Sequence, residues 1–533
     1  MKRFWKSAAA AAVLCFGLLL GPAGCGGDKG DDTEKKAPGD ETSGQSVVIR
    51  LQGGDTGLPN PFKHYVRGPG LSKMQLLYDS LLEKDENGDI SWLADSWKIS
   101  DDGTEYTFKL RDNVAWHDGR SLTAEDVKFT FEYYREHPPV SNDLIVDGKY
   151  IVQDIEIVDP QTVRLTVDAP SASYLSKIGY MRILPRHIWG NVEDPMTFTG
   201  AAATVGSGPY VMEEYDAQQG IYRFKAFEKY WGPRPRVDLI EWVPVSDPIL
   251  AFENEEIDLV NATPDVLSRY ENNPEYKVEK KHSFHNYRLM MNMEKRPELK
   301  DVNIRKAIAC AIDRNELMEK VERGSAVIGS MGYVPEGSKW YNGNTAKYPY
   351  DLQKARELLV GRQLSFNVLV GNTDKEVKIA ELIKLTLEQA GIKLTIESVD
   401  SKVRDTAVQQ GEYELSIINS GGMGGDPDYL RNLYASNPKA KSKGLGSGAV
   451  PGYYNERVRT LALRQARELD PEKRKKTIFE LQELIAEEVP MILLYGQVDN
   501  HVYRPAKYDG WMFRYDHTKT DHCKLSYLER NGA

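Results

Sequence analysis

The stretch from residue 364 to residue 420 leaves this chain few folds to choose from. LSFNVLVG (364–371) has the apolar character of a buried strand, KEVKIAELIKLTLEQAG (375–391) carries apolar residues at helical spacing as far as Gly391, and KLTIESV (393–399) reads as a strand again. Two strands joined by a helix through such short joints lie parallel, with the helix packed on one sheet face. SKVRDTAVQQG (401–411) and ELSIINS (414–420) supply the next helix and strand. Ligands in open parallel sheets sit beyond the carboxyl ends of the strands, and GGMGGDPDYL (421–430) leaves such an end. Gly421, Gly422, Gly424 and Gly425 allow either close backbone approach to a ligand or a simple reversal of the chain. Asp426 and Asp428 bring negative charge to the start of the following helix, which argues against a phosphate cradle.

The first half follows a different grammar. VVIRL (47–51) opens as a strand and LSKMQLLYDSLL (71–82) reads as a helix. TEYTFKL (104–110) alternates, and DIEIVDPQTVRLTV (154–167) is a hairpin turning at Asp159-Pro160. Between them SLTAEDVKFTFEYYREH (121–137) starts a helix at Thr123, with Asp126 in a variant capping box. This half is α+β with antiparallel strands. Further on, DVNIRKAIACAIDRNELMEKV (301–321) reads as one helix capped by Asp301, and YDLQKARELL (350–359) as another. Residues 455–490 form two helices broken at Asp470-Pro471, and MILLYG (491–496) is a buried strand.

At the N-terminus, Lys2, Arg3 and Lys6 precede an apolar stretch from Ala8 to Leu20 and small residues ending at Cys25. This is the three-part form of an export signal, with an apolar core too short to span a bilayer comfortably. It resembles a bacterial lipoprotein signal that leaves Cys25 lipidated; Ala23 and Gly24 conform, while Pro22 stands where Leu is usual. A simple cleaved signal is the alternative. Residues 26–45 hold no apolar side chain larger than Ala and read as a tether, so the body is expected outside the cytoplasm. A formal charge of −10, which becomes −13 once residues 1–24 leave, argues against a nucleic-acid partner. Once Cys15 leaves with the signal and Cys25 carries lipid, Cys310 and Cys523 remain; a buried free thiol at Cys310 and a disulfide between the two are both open.

The chain contains no GxSxG, HExxH, GxxxxGK[ST] or GxGxxG signature. HSFH (282–285) places its histidines on opposite faces of a strand, and His517, Asp521, His522 and Cys523 lack zinc-site spacing, so neither metal nor cofactor is expected. The 29 tyrosines and 9 tryptophans suit a cleft that grips organic ligands.

Several segments in order resemble the extracytoplasmic solute-binding proteins of the dipeptide, oligopeptide and nickel class, family 5, that serve ABC importers. They are WKISDDGTEYTFKLRDNVAWHDGRSLTAEDVKFTFE (97–132), GSGPYV (206–211), YWGPRP (230–235), NEEIDLV (254–260), IRKAIACAIDR (304–314), YDLQKARELL (350–359) and EEVPMILLY (487–495). The resemblance implies an α/β, two-lobed, periplasmic-binding-protein-like type II fold with an extra α+β subdomain in the larger lobe. That lobe would span 46–285, with the subdomain at about 76–204; the second lobe would span 286–495 and residues 496–533 would return to the first. Strands near 286–292 and 491–495 would cross between lobes. The implied function is a non-enzymatic, monomeric receptor that closes on a peptide or related small organic ligand and delivers it to an importer permease, held to the membrane by lipid on Cys25. His64, Tyr65 and Arg67 on one lobe, and Asn419, Met423 and Asp426 on the other, are the expected ligand residues. Peptide-binding members place an Asp for the ligand's ammonium where this chain has Met423, and Asp426 is the substitute on offer. An extracytoplasmic hydrolase and a ligand-sensing subunit are the rival readings.

Overall fold

The computed structural model describes residues 46–65, 68–85, 88–146, 148–420, 425–435, 450–513 and 522–529. Cys25, Arg67 and Met423 lie outside the described residues, as do the leader, the tether and residues 516–521 of the second histidine grouping.

The crossover unit forms as its periodicity dictates. Leu364–Gly371 pairs in parallel with Ile392–Val399 and with Leu415–Ser420. The helix between the first two, Asp374–Ala390, begins where the Thr373 hydroxyl accepts the Glu376 N–H and ends at Gly391, whose φ of +96° a side chain would disfavour. In the first half, Ala94–Ile99, Glu105–Leu110, Thr162–Val167 and Val152–Asp159 form a four-stranded antiparallel sheet in that order. The helix Ala124–Glu136 covers it, its start fixed by the Asp126 carboxylate accepting the Thr123 N–H at 2.9 Å.

One large sheet runs through both halves. Its order is Tyr210–Asp216, Ile221–Ala226, Leu239–Pro244, Val48–Gly53, Leu259–Asn261, Ile492–Tyr503, Lys277–Met291, Leu415–Ser420, Leu364–Gly371 and Ile392–Val399, with Ala326–Ile328 also on Ile492–Tyr503. The two long strands in the middle pair with each other antiparallel along most of their length. At their far end, residues 501–503 pair with Leu259–Asn261; nearer the parallel unit, residues 286–291 pair with Leu415–Ser420. Two hydrophobic cores flank this crossing. One collects residues from Ile49 to Leu259 together with Tyr503 to Leu528, and the other collects Tyr287 to Tyr495. Cys523 is a buried thiol in the first core and Cys310 a buried thiol in the second, with no disulfide joining them.

Two helices differ from expectation. Gly68–Leu77 stops short of residue 82 because the Leu77 carbonyl accepts the N–H of Gly208 at 2.8 Å instead of continuing the helix. That approach explains the GSGPY motif: a Cβ on Gly206 would sit 1.9 Å from the Leu77 oxygen, and one on Gly208 2.3 Å from the Leu76 oxygen. The chain then carries Asp79 and Glu83 into the core, where the Lys524 ammonium meets both at 2.6 Å with neither Lys524 nor Asp79 exposed. Arg182 adds a second cation on Glu83 at 2.7 Å. The expected helix 301–321 is two helices, Val302–Ala311 and Arg314–Glu322, because Asp313 caps the second by accepting the Glu316 N–H. Arg314 then donates from the core to the carbonyls of Gly329 and Tyr348.

His117, in the WHDG turn, is tied to the same GSG segment. Its Nδ1 accepts from the Gly206 N–H at 3.1 Å and its Nε2–H donates to the Gly208 carbonyl at 3.0 Å. Burial pushes the imidazole down to about 4, outweighing the help its cation would receive from Gly208, Asp79 and Asp118.

Candidate ligand-binding site

At the carboxyl end of the parallel unit, the charged side chains neutralise one another. Glu376 accepts the Gly371 N–H at 2.7 Å and pairs with the buried Arg404, which also donates to the Ile417 carbonyl at 3.1 Å. A Cβ on Gly371 would lie 2.7 Å from Ser401 Oγ and 2.8 Å from Glu376 Oε2, so the strand end is closely packed. Nearby, the Tyr495 hydroxyl donates to Glu322 at 2.8 Å, and Lys375 pairs with the same carboxylate at 2.9 Å. Tyr287 stacks obliquely on Tyr495, with ring centroids 5.2 Å apart, and stands opposite Asn419 across the sheet.

Asn419 is half-buried. Its Nδ2 donates to Gln497 Oε1 at 2.8 Å, while its Oδ1 is buried and accepts no hydrogen bond from any described residue. Asp426 is differently placed. Both of its oxygens take the Arg474 guanidinium, at 2.5 and 2.6 Å, and one also accepts the Asp428 N–H at 2.9 Å. A bidentate pair of this kind orients the carboxylate toward its own lobe. Arg474 lies 48 residues downstream, a pairing that local sequence does not announce.

In the first half, the loop after Val48–Gly53 is pinned by Asp55, which accepts from the Tyr215 hydroxyl at 2.8 Å and the Tyr222 hydroxyl at 3.0 Å. Burial alone would raise the Asp55 carboxyl, but the Gly57 N–H and the two phenols hold it below its ordinary value. His64 is buried; its Nδ1 meets the Tyr65 carbonyl at 2.7 Å and its Nε2 has no partner among the described residues. Burial lowers its pKa, with Arg182 adding to the effect, so the ring stays neutral at pH 7. Tyr65 is exposed at 49%. His64 and Tyr65 therefore share one loop but face different surroundings.

The two cores also touch away from the crossing strands. The Ala172 N–H donates to the Ala466 carbonyl at 2.9 Å, and Ser173 Oγ lies 3.4 Å from the buried Asp428, with Lys177 at 4.0 Å. Burial opposes the Asp428 charge, but the Arg431 guanidinium at 2.9 Å holds the carboxyl below its usual range.

Three buried arginines of the second lobe differ in circumstance. Arg305 donates to the carbonyls of Leu299, Lys300 and Glu488, and Arg314 is satisfied as described. Arg288, on the crossing strand Lys277–Met291, is 3% exposed, and its side chain donates no hydrogen bond to any described residue. Its guanidinium lies 5.6 Å from the ring centre of Tyr333. Sequence reasoning passed over it, although a cation inside the apolar run NYRLMMN was a legible signal. Among the described residues no group of His, Cys, Asp and Glu is arranged to hold a metal ion.

Two cores joined by a pair of crossing strands, with a parallel unit opening toward the junction, define a two-lobed α/β solute-binding fold. The chain belongs to the bacterial extracellular solute-binding proteins, family 5, whose middle-region model matches residues 90–442. Members of this family are extracytoplasmic transport receptors, not enzymes, and the chain is the substrate-binding component of an ABC importer. It is 27% identical over 488 residues to heme-binding protein A of Haemophilus influenzae, covering 82% of this chain and 86% of that one. It is 25% identical over 383 residues to the dipeptide-binding protein of Escherichia coli, covering 65% and 70% of the two chains. Among solved structures, the substrate-binding protein CtaP of Listeria monocytogenes superposes with a TM-score of 0.77 at 24% identity, covering 91% of this chain and 99% of its own. DppA of Helicobacter pylori in complex with the peptide STSA gives 0.72 at 22% identity, over 91% and 98%. Among the described residues no helix is long and apolar enough to cross a membrane.

Proposed function

We propose that this protein captures a peptide or related small organic solute between its two lobes, closes on it, and presents the closed form to its importer permease. The observation that carries this reading is the geometry of the crossing. Two long paired strands run from one core to the other, and a separate small contact joins residues 172–177 to Asp428 and Ala466, so a hinge can open one set of contacts while the other holds. The names of relatives that bind heme or dipeptides support a small organic cargo. The boundary between lobes falls near residues 285 and 496, and the α+β subdomain belongs to the first lobe. Asn419 is the ligand residue the geometry favours, because its buried Oδ1 has a hydrogen bond left to accept. Tyr65 faces solvent from the opposite loop. Asp426 acts as a brace for the loop through Arg474, leaving it poorly placed to hold a ligand ammonium.

Native mass spectrometry of the full chain purified from its source tests this. The expected result is one solute bound per chain, released unchanged on denaturation and imported only when the chain is present. Consumption of supplied peptides, or uptake unaffected by deleting the chain, would overturn the receptor reading.

A further inference from the structure

Of the buried arginines 288, 305 and 314, Arg288 alone has a side chain with no hydrogen-bond partner among the described residues. Arg305 gives its N–H groups to carbonyl oxygens and has the Glu488 carboxylate at 3.5 Å, and Arg314 is matched by carbonyls. Around Arg288 the surroundings are donors too. The hydroxyls of Tyr333, Tyr434 and Tyr453 are buried, and none has a hydrogen-bond partner among the described residues. The rings form a chain that starts at the guanidinium: Tyr333 to Tyr434 is 6.3 Å between centroids, and Tyr434 to Tyr453 is 6.1 Å, with Tyr453 at the far end toward Glu488 and Arg305. Tyr333 is also held at a φ of +72°, a costly backbone state for an aromatic residue. Burial pulls the Arg288 pKa down to about 10, so the group remains charged at neutral pH.

A guanidinium offers donors and no acceptor, and a phenol can always donate. Arg288 and Tyr434 have only each other and tyrosines as charged or titratable neighbours; such groups call for an acceptor-rich, planar anion, and the Arg fork matches a carboxylate in two parallel hydrogen bonds. We propose that Arg288, with Tyr333 and Tyr434, binds a carboxylate group of the transported solute. The place suits this, because the Tyr429 hydroxyl donates to the Tyr333 carbonyl at 3.3 Å and Tyr429 follows Asp428, which meets the first lobe. This inference rests on the receptor reading and narrows its substrate to carboxylate-bearing molecules.

Thermal melts of the purified full chain test it with sodium acetate, acetamide and sodium phosphate at constant ionic strength. Acetate is expected to raise the melting temperature saturably, while acetamide and phosphate leave it unchanged. Arg288→Met should weaken the apparent acetate affinity at least tenfold, and Tyr434→Phe several-fold. Without acetate, Arg288→Met should melt no lower than the wild type, because it removes a buried, unmatched charge. An equal response to acetate and acetamide overturns the assignment, as does protection by phosphate alone or an acetate response that survives Arg288→Met. If the Arg288→Met variant unfolds or melts several degrees lower, Arg288 is structural and the assignment is likewise overturned. Failure of this site in a chain that still supports uptake leaves the receptor reading intact, whereas loss of uptake with the acetate response preserved strikes the receptor reading alone.

Discussion

Lowering the pH from 7 to 5 should weaken the first lobe through one identifiable ring. In the folded chain the His117 Nδ1 accepts the Gly206 N–H, so protonating it would set two donors against each other in a buried place. The folded pKa is accordingly about 4 against an ordinary 6.5. Between those values the unfolded chain binds a proton that the folded chain refuses. The stabilisation is therefore complete above pH 6.5 and is lost as the pH falls toward 4. The full separation corresponds to about 3.4 kcal/mol, of which about 2 kcal/mol is gone by pH 5. Carboxylates titrate in the same range, so the effect must be isolated by a difference. His117→Asn removes the titration and at pH 7 should cost about 1–3 kcal/mol for the disturbed buried hydrogen bonds. The gap between wild type and variant should then narrow by about 2 kcal/mol at pH 5. Urea denaturation followed by tryptophan fluorescence is the assay. Seven of the 9 tryptophans, from Trp92 to Trp242 and Trp511, pack in the first core, leaving Trp340 in the second and Trp5 outside the described residues. A gap that stays constant between pH 7 and pH 5 would refute the reasoning.

Two further outcomes are expected. Lys524→Met removes the ammonium shared by Asp79 and Glu83 and should destabilise the first lobe by about 3–5 kcal/mol, because two buried carboxylates lose the cation between them; a loss below about 1 kcal/mol in urea would contradict this. Cys25→Ser should move the protein from the membrane fraction to the soluble extracytoplasmic fraction, since a lipid on that residue is the proposed anchor. Continued sedimentation with membranes would remove the lipid from the account.

The parallel unit, the 154–167 hairpin and the caps at Thr123 and Asp301 were legible in the sequence because each depends on residues only a few positions apart. The misjudged helix ends depend on distant partners. Nothing within 71–82 reveals that Gly208 claims the Leu77 carbonyl, and the apolar Ile312 hides a break that Asp313 enforces. The same difference applies to the site. Asn419 is expected at the site because it stands near the carboxyl end of a strand legible in its own segment, whereas Asp426 looked available until Arg474, from a later helix, took both its oxygens. Arg67 and Met423 lie outside the described residues and stay as sequence-based expectations. Arg288 shows the reverse case, where the residue type was visible but the lack of a partner could be seen only in three dimensions.

The Lys524 pair with Asp79 joins residues 445 positions apart, and Tyr503 closes the first core from beyond the whole second lobe. The order of assembly follows from this. The second lobe is one continuous segment and can condense as soon as it is available, whereas the first must hold its N-terminal elements unfinished until the final residues arrive. Closing so long a loop costs entropy before any contact repays it. A chain emerging N-terminus first should therefore complete its earliest-made lobe last.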